Sequence, residues 1–216
     1  MITYSHALGV RDLPFGEIQS YFPWHCTFLN DANAGAFAEG IGSDLPSSFF
    51  YLSLSNTVGG AIFHDGNLLP GDAFRCGEAG HMTLIPDGKP CYCGKTGCVD
   101  AYCSARVLSD LSGGRLEDFF LGLQQNNREY RPVWDTYLKH LAVVINNLHM
   151  ILDYDIVLGG YVGSFLTPWL DTIRHLVAER NTFEDDGSFV KLCTYQTGAA
   201  AYGAAMDVME EFLRTV

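Results

Sequence analysis

The chain has 216 residues, 48% of them hydrophobic and 18% charged, which excludes a disordered segment and suffices for one large α/β domain or two small lobes. Against 13 basic residues stand 25 acidic ones, a net charge of −12 with no basic run to offset it, so nucleic acid is not a partner of this chain itself. No stretch of about 18 apolar residues offers a membrane span, and Met1-Ile2-Thr3-Tyr4-Ser5-His6 lacks the basic flank and apolar run of a signal peptide.

Residues 1–24 contain Pro14, Pro23 and several polar breaks and read as a lead-in or a truncated remnant of a first lobe. Residues 25–216 read as one α/β domain. Cys26-Thr27-Phe28-Leu29 is a short β-like run, and Ala34 to Gly40 is helical, with Asn30 or Asp31 suited to cap it. Phe49 to Leu54 and Gly59 to Phe63 form paired strands, and His64-Asp65-Gly66-Asn67 supplies a tight turn. Gly71 to Gly97 is too polar and too rich in Gly, Pro and Cys for a core element. A loop of that length needs a function or an internal staple.

Asp100 to Leu111 predicts a helix, Ser112 to Arg131 a polar connection, and Val133 to Met150 a helix with a 3.6-residue apolar period. Asp155-Ile156-Val157-Leu158-Gly159-Gly160 is a buried strand running into a glycine turn. Phe165 to Arg180 predicts a helix, Val190 to Tyr195 a short strand and Ala199 to Leu213 a last helix. Strands alternating with helices imply an α/β layer fold.

Seven cysteines are an odd number, and three of them crowd into Cys91-Tyr92-Cys93-Gly94-Lys95-Thr96-Gly97-Cys98. This usage suits an intracellular, cytoplasmic protein that holds metal better than a secreted disulfide scaffold. Three sulfurs on one knuckle, with His81 closing the set from across the loop, match the tetrahedral preference of a structural zinc ion. The alternative is a group of free or paired thiols, although Cys91 and Cys93 are too close for easy mutual bridging. Cys26, Cys76, Cys103 and Cys193 read as small buried hydrophobes.

Taken together, Asn30-Asp31-Ala32-Asn33, Gly77-Glu78-Ala79-Gly80-His81-Met82, the Cys91 to Cys98 knuckle with Val99-Asp100, Val157-Leu158-Gly159-Gly160, and Gly198 to Ala205 resemble the ROK family of sugar kinases and sugar-responsive repressors. The likeness runs in order from about Phe15 to the end. It implies an actin-like, ribonuclease-H-like α/β lobe bordering a sugar cleft, with a zinc-knuckle loop and a homodimeric assembly. Carried over, Asp31 would be the catalytic base that takes a proton from a sugar hydroxyl as it attacks the γ-phosphate of ATP. Asn30, Asp31, Glu78, His81 and Asp100 would hold the monosaccharide, and Gly159 and Gly160 would border the nucleotide. Blander roles stand beside these: a helix cap for Asp31, a solvated loop charge for Glu78, and a strand-to-helix turn for the two glycines.

Three departures from the family pattern matter. The phosphate turn Asp-x-Gly-Gly-Thr is not found ahead of Asn30, and Ser55-Asn56-Thr57-Val58-Gly59-Gly60 stands where the family has Gly-Thr-Gly-Ile-Gly-Gly. Asp100 stands where a glutamate is usual, one methylene short. The sequence reading therefore puts an inducer-sensing domain of a ROK regulator first, with its DNA-reading part on an absent N-terminal segment. A fragment of an ATP- and Mg-dependent sugar kinase comes second, and a zinc-stapled structural or dimerisation module that has lost sugar binding third.

Overall fold

The computed structural model describes residues 2–5, 8–24 and 26–215. Met1 and His6 of the stretch read above against a signal peptide lie outside the described residues, as do Ala7, His25 and Val216. A small antiparallel pair, β1 (Ile2–Ser5) and β2 (Val10–Leu13), stands apart from the main sheet and leads into the short helix α1 (Phe15–Gln19).

The main body begins with α2 (Asp31–Gly42) and the hairpin β3 (Phe49–Leu54), β4 (Val58–His64), extended by β5 (Asn67–Leu68). A long loop then leads to α3 (Asp100–Cys103), α4 (Arg106–Ser109), α5 (Leu116–Gln124) and α6 (Tyr130–Leu152). The chain continues through β6 (Asp155–Gly159), α7 (Gly160–Gly163), α8 (Leu170–Ala178), β7 (Val190–Leu192) and α9 (Ala199–Thr215). The main sheet has the order β5-β4-β3-β6-β7, antiparallel through the hairpin and parallel from β3 to β7.

β3 is buried along its whole length because both faces of the sheet are covered. Phe50, Leu52 and Leu54 pack with Ile156 and Leu158 against Trp134, Leu141 and Ile145 of α6. On the opposite face Phe49 and Tyr51 meet Phe63, Val157, Ala36 of α2 and Ala199 of α9. The result is a three-layer α/β/α body, and α2 and α9 pack on each other along one face.

Four sequence expectations are corrected. Cys26–Leu29 forms no strand, because the Gln19 side chain takes the Cys26 N–H at 2.7 Å and Phe28 stacks on Phe15 at 4.3 Å. The helix expected over Asp100–Leu111 breaks at Ser104, where the Ala105 N–H turns to the Ser55 carbonyl at 2.7 Å. The supposed polar connection contains α5, whose Leu116, Phe119 and Phe120 are buried. Pro168 sits in a 3₁₀ turn, so the helix expected from Phe165 starts at Leu170. Cys103 and Cys193 are buried as expected, whereas Cys26 and Cys76 are only half-buried.

Candidate functional site

The first three residues of β4 touch the segments that carry Asp31, the Glu78–His81 turn and Asp100. A Cβ placed on Gly59 would lie 3.3 Å from Ala32 Cβ, so the first turn of α2 rests on this strand. One placed on Gly80 would fall 2.0 Å from the Val58 carbonyl oxygen, and one on Gly60 would fall 2.6 Å from the Gly77 carbonyl oxygen. The 3₁₀ turn Ala79–His81 is thereby pressed against the same three residues. From below, Asp100 at the start of α3 accepts the Val58 N–H through Oδ2 at 2.6 Å.

Asn30 caps α2 by accepting the N–H groups of Ala32 at 2.9 Å and Asn33 at 3.1 Å. Asp31 stands at the first helical position with its side chain exposed, and its Oδ1 shares the Ala32 N–H with Asn30 at 2.9 Å. Glu78 is also exposed, just ahead of the 3₁₀ turn. Asp100 differs from both. It is only 5% exposed, and burial raises its pKa against the lowering effects of the Val58 N–H and the charges of His81 and Arg106.

The loop after Glu78 folds back on itself through backbone bonds from Leu84 to Gly97, Gly97 to Lys89 and Cys91 to Lys95, each between 2.7 and 2.8 Å. Gly97 makes this closure possible: its φ is +77°, and a Cβ there would sit 1.9 Å from the Ile85 carbonyl oxygen. Closure gathers one ligand atom each from His81, Cys91, Cys93 and Cys98, all within 4.8 Å of one another. Cys93 and Cys98 sulfurs are 3.8 Å apart. A tetrahedral cation with metal–sulfur bonds near 2.3 Å requires about that spacing, roughly 3.8 Å. Donor type, number and spacing therefore fit a four-coordinate cation.

Burial pushes the Cys91 thiol up to about 12 and raises that of Cys98. Burial acts against the Cys93 thiolate as well, yet the Lys95 N–H and the neighbouring thiols bring Cys93 below the ordinary value.

The ROK family profile matches residues 1–211. This chain belongs to the ROK family. The match starts ahead of Phe15, where the sequence likeness was placed, and so takes in the lead-in. Among curated relatives, the N-acetylmannosamine kinase of Salmonella typhi is 30% identical over 188 residues, covering 82% of this chain. This ROK chain spans 62% of that relative's length. Among solved structures, a ROK family glucokinase from Streptomyces griseus in complex with glucose and AMPPNP superposes with a TM-score of 0.81. It shares 21% identity, with 95% of this chain and 75% of that one covered. A ROK family transcriptional regulator, a homolog of the E. coli MLC protein, gives a TM-score of 0.69 at 22% identity, with 91% and 56% covered. These two structures establish the actin-like ROK fold.

Gly159 and Gly160 sit where β6 turns into α7, and their own chain already explains them. A Cβ on Gly159 would strike the Tyr51 hydroxyl at 2.2 Å, and Gly160, at φ +76°, would strike Ser55 Oγ at 2.6 Å. Beside them lies a cavity of about 280 Å³ lined by Asn56, Ser109, Glu117, Tyr161, Phe165 and Thr197. Its size is at the low end for a small-ligand pocket.

Two residues near these sites escaped the sequence reading. Tyr92 lies inside the knuckle, with its hydroxyl 3.4 Å from His81 Nε2 and its ring edge-on to the imidazole at 5.5 Å. Burial, then the charges of Asp100, Cys91 and Glu78, push its phenol above the usual range. Glu39 on α2 is fully buried and accepts from Cys193 Sγ and the Tyr195 N–H, each at 3.0 Å. It fastens α2 to the segment that follows β7. Neither residue carried a local motif that pointed to it.

Proposed function

We propose that this chain carries the sugar-gripping and base-bearing part of an ATP-dependent ROK sugar kinase that acts on N-acetylmannosamine or a closely related hexose. The observation that carries this reading is the exposed Asp31 carboxylate on the first turn of α2, set on the same strand as the Glu78–His81 turn. The kinase identity of the curated relative weighs toward an enzyme and away from the inducer-sensing domain that the altered Ser55–Gly60 turn suggested.

In this reading Asn30, Glu78 and His81 hold sugar hydroxyls, and Asp31 accepts the proton of the attacking hydroxyl. The new bond joins that oxygen to the γ-phosphorus, the bond from γ-phosphorus to the bridging oxygen breaks, and the proton resides on Asp31. ATP with Mg²⁺ supplies the phosphoryl group when bound, and the cavity beside Gly160 and Tyr161 is suited to its nucleoside end. His81, Cys91, Cys93 and Cys98 would hold a structural zinc ion that fixes the His81 ring on the sugar side. A monosaccharide, ATP and a second copy of the chain are the partners this reading carries, and the cytoplasm is its location.

The test is ATP-dependent phosphorylation of N-acetylmannosamine and glucose by the protein and its Asp31→Asn variant. Turnover that falls about 10²- to 10⁴-fold in the variant, with sugar affinity retained, supports the reading. Turnover in the variant equal to the parent contradicts it.

One observation favours a second reading. Thr57 places a β-branched side chain where glycine would let backbone approach phosphate, which suits a sugar sensor that transfers nothing. Sugar binding without any turnover would mark that outcome.

A further inference from the structure

Asp100 and Tyr92 stand in an inverse relation at the sugar side of the knuckle. The carboxylate expected to touch sugar is one methylene short, 5% exposed, and spends Oδ2 on the Val58 N–H at 2.6 Å. Tyr92, set between two metal-ligand cysteines, is 40% exposed and brings its hydroxyl to 3.4 Å from His81 Nε2. We propose that Tyr92 is a sugar-contacting, specificity-determining residue, making the contact that the buried Asp100 cannot make. The proposal rests on the sugar-binding reading above.

The chemistry of the cluster supports the exchange. A carboxylate such as that of Glu78 only accepts hydrogen bonds, so a sugar hydroxyl held there needs a donor as well. Were His81 to hold the cation through Nδ1, Nε2 would be the ring edge left for the sugar, and it stands 3.4 Å from Tyr92 Oη. Tyr92 then offers its own O–H to a sugar oxygen, while that sugar hydroxyl donates to Glu78. The phenol also adds an apolar edge of the kind that packs on the C–H face of a pyranose, which no carboxylate can supply. Three atoms lengthen the route from the main chain relative to Asp100, so the two side chains would read different positions of the ring.

Isothermal titration of the zinc-loaded protein with N-acetylmannosamine, glucose and the monodeoxyglucoses tests this, using Tyr92→Phe and Tyr92→Ala alongside the parent and zinc content by elemental analysis. Tyr92→Phe should weaken hexose binding about five- to tenfold with zinc stoichiometry unchanged. One monodeoxyglucose should bind parent and Tyr92→Phe alike, because it lacks the hydroxyl that Tyr92 holds. Equal hexose affinities in parent, Tyr92→Phe and Tyr92→Ala overturn the inference and leave the sugar-binding reading standing. Loss of zinc from Tyr92→Phe also overturns it, since Tyr92 would then act only by holding His81. Failure of the parent to bind any of these sugars overturns both.

Discussion

The carboxylate of Asp100 and the backbone N–H of Val58, 42 positions apart in the chain, are joined by a 2.6 Å hydrogen bond beneath the candidate site. This bond couples the foot of the Cys91–Cys98 knuckle to the strand that supports Asp31 and the Glu78–His81 turn. A charged acceptor on a buried amide is among the stronger hydrogen bonds of a protein. Its loss leaves the Val58 N–H without the partner it now has.

Asp100→Ala should therefore destabilise the fold by about 1–3 kcal/mol. Asp100→Asn, which keeps an oxygen at the same place, should lose less. Urea denaturation of the three proteins under identical zinc loading measures the difference, and equal midpoints would remove Asp100 from its tying role.

Metal binding should release protons. The Cys91 thiol at about 12 and the raised Cys98 keep their protons at neutral pH when no cation is present, and only thiolates ligate. Apparent zinc affinity should thus rise with pH across the range 6 to 8, by about tenfold per unit for each proton released. Competition against a chromophoric chelator at several pH values reads the slope, and a flat profile would exclude thiolate ligation.

His140 on α6 carries a pH dependence of its own. Burial, with Lys89 nearby, lowers its pKa, and its ring stands edge-on to Tyr102 at 5.0 Å. The unfolded chain then binds a proton that the folded chain refuses. Stability from this group is complete above about pH 6.5, the unfolded value, and is lost as pH falls toward the lowered folded value. His140→Gln should flatten the part of the stability profile just below about pH 6.5, measured by thermal unfolding. An unchanged slope in the variant would assign that dependence elsewhere.

Gly160 offers a test of the β6–α7 junction. At φ +76°, and with Ser55 Oγ 2.6 Å from where a Cβ would stand, Gly160→Ala is strained on two counts. The variant should unfold at lower denaturant by about 1–3 kcal/mol, and a neutral result would mean the turn relaxes freely.

Local patterning made much of this fold legible. Asn30 ahead of an alanine-rich run announced the cap of α2, the apolar run Phe49–Leu54 announced a strand, and the i, i+3, i+4 spacing through Leu138, Leu141 and Ile145 announced α6. The cysteine spacing with His81 pointed to the cluster that the folded loop assembles. What escaped was non-local or masked by its flanks. α5 hides between Gly113-Gly114 and the Gln124–Asn127 run, and Ser104 interrupts a good helical sequence only because Ser55 captures the next N–H. The burial of Asp100 and the approach of Tyr92 to His81 depend on loop closure, and no spacing in the chain records them.

The central claim is that the tied loop from Glu78 to Cys98 shapes a sugar site. Calorimetric titration of N-acetylmannosamine into the protein before zinc removal, after it, and after reloading tests this most directly. The account predicts saturable binding that disappears with the metal and returns when zinc is restored. Equal affinity in the metal-free and zinc-loaded protein would contradict it.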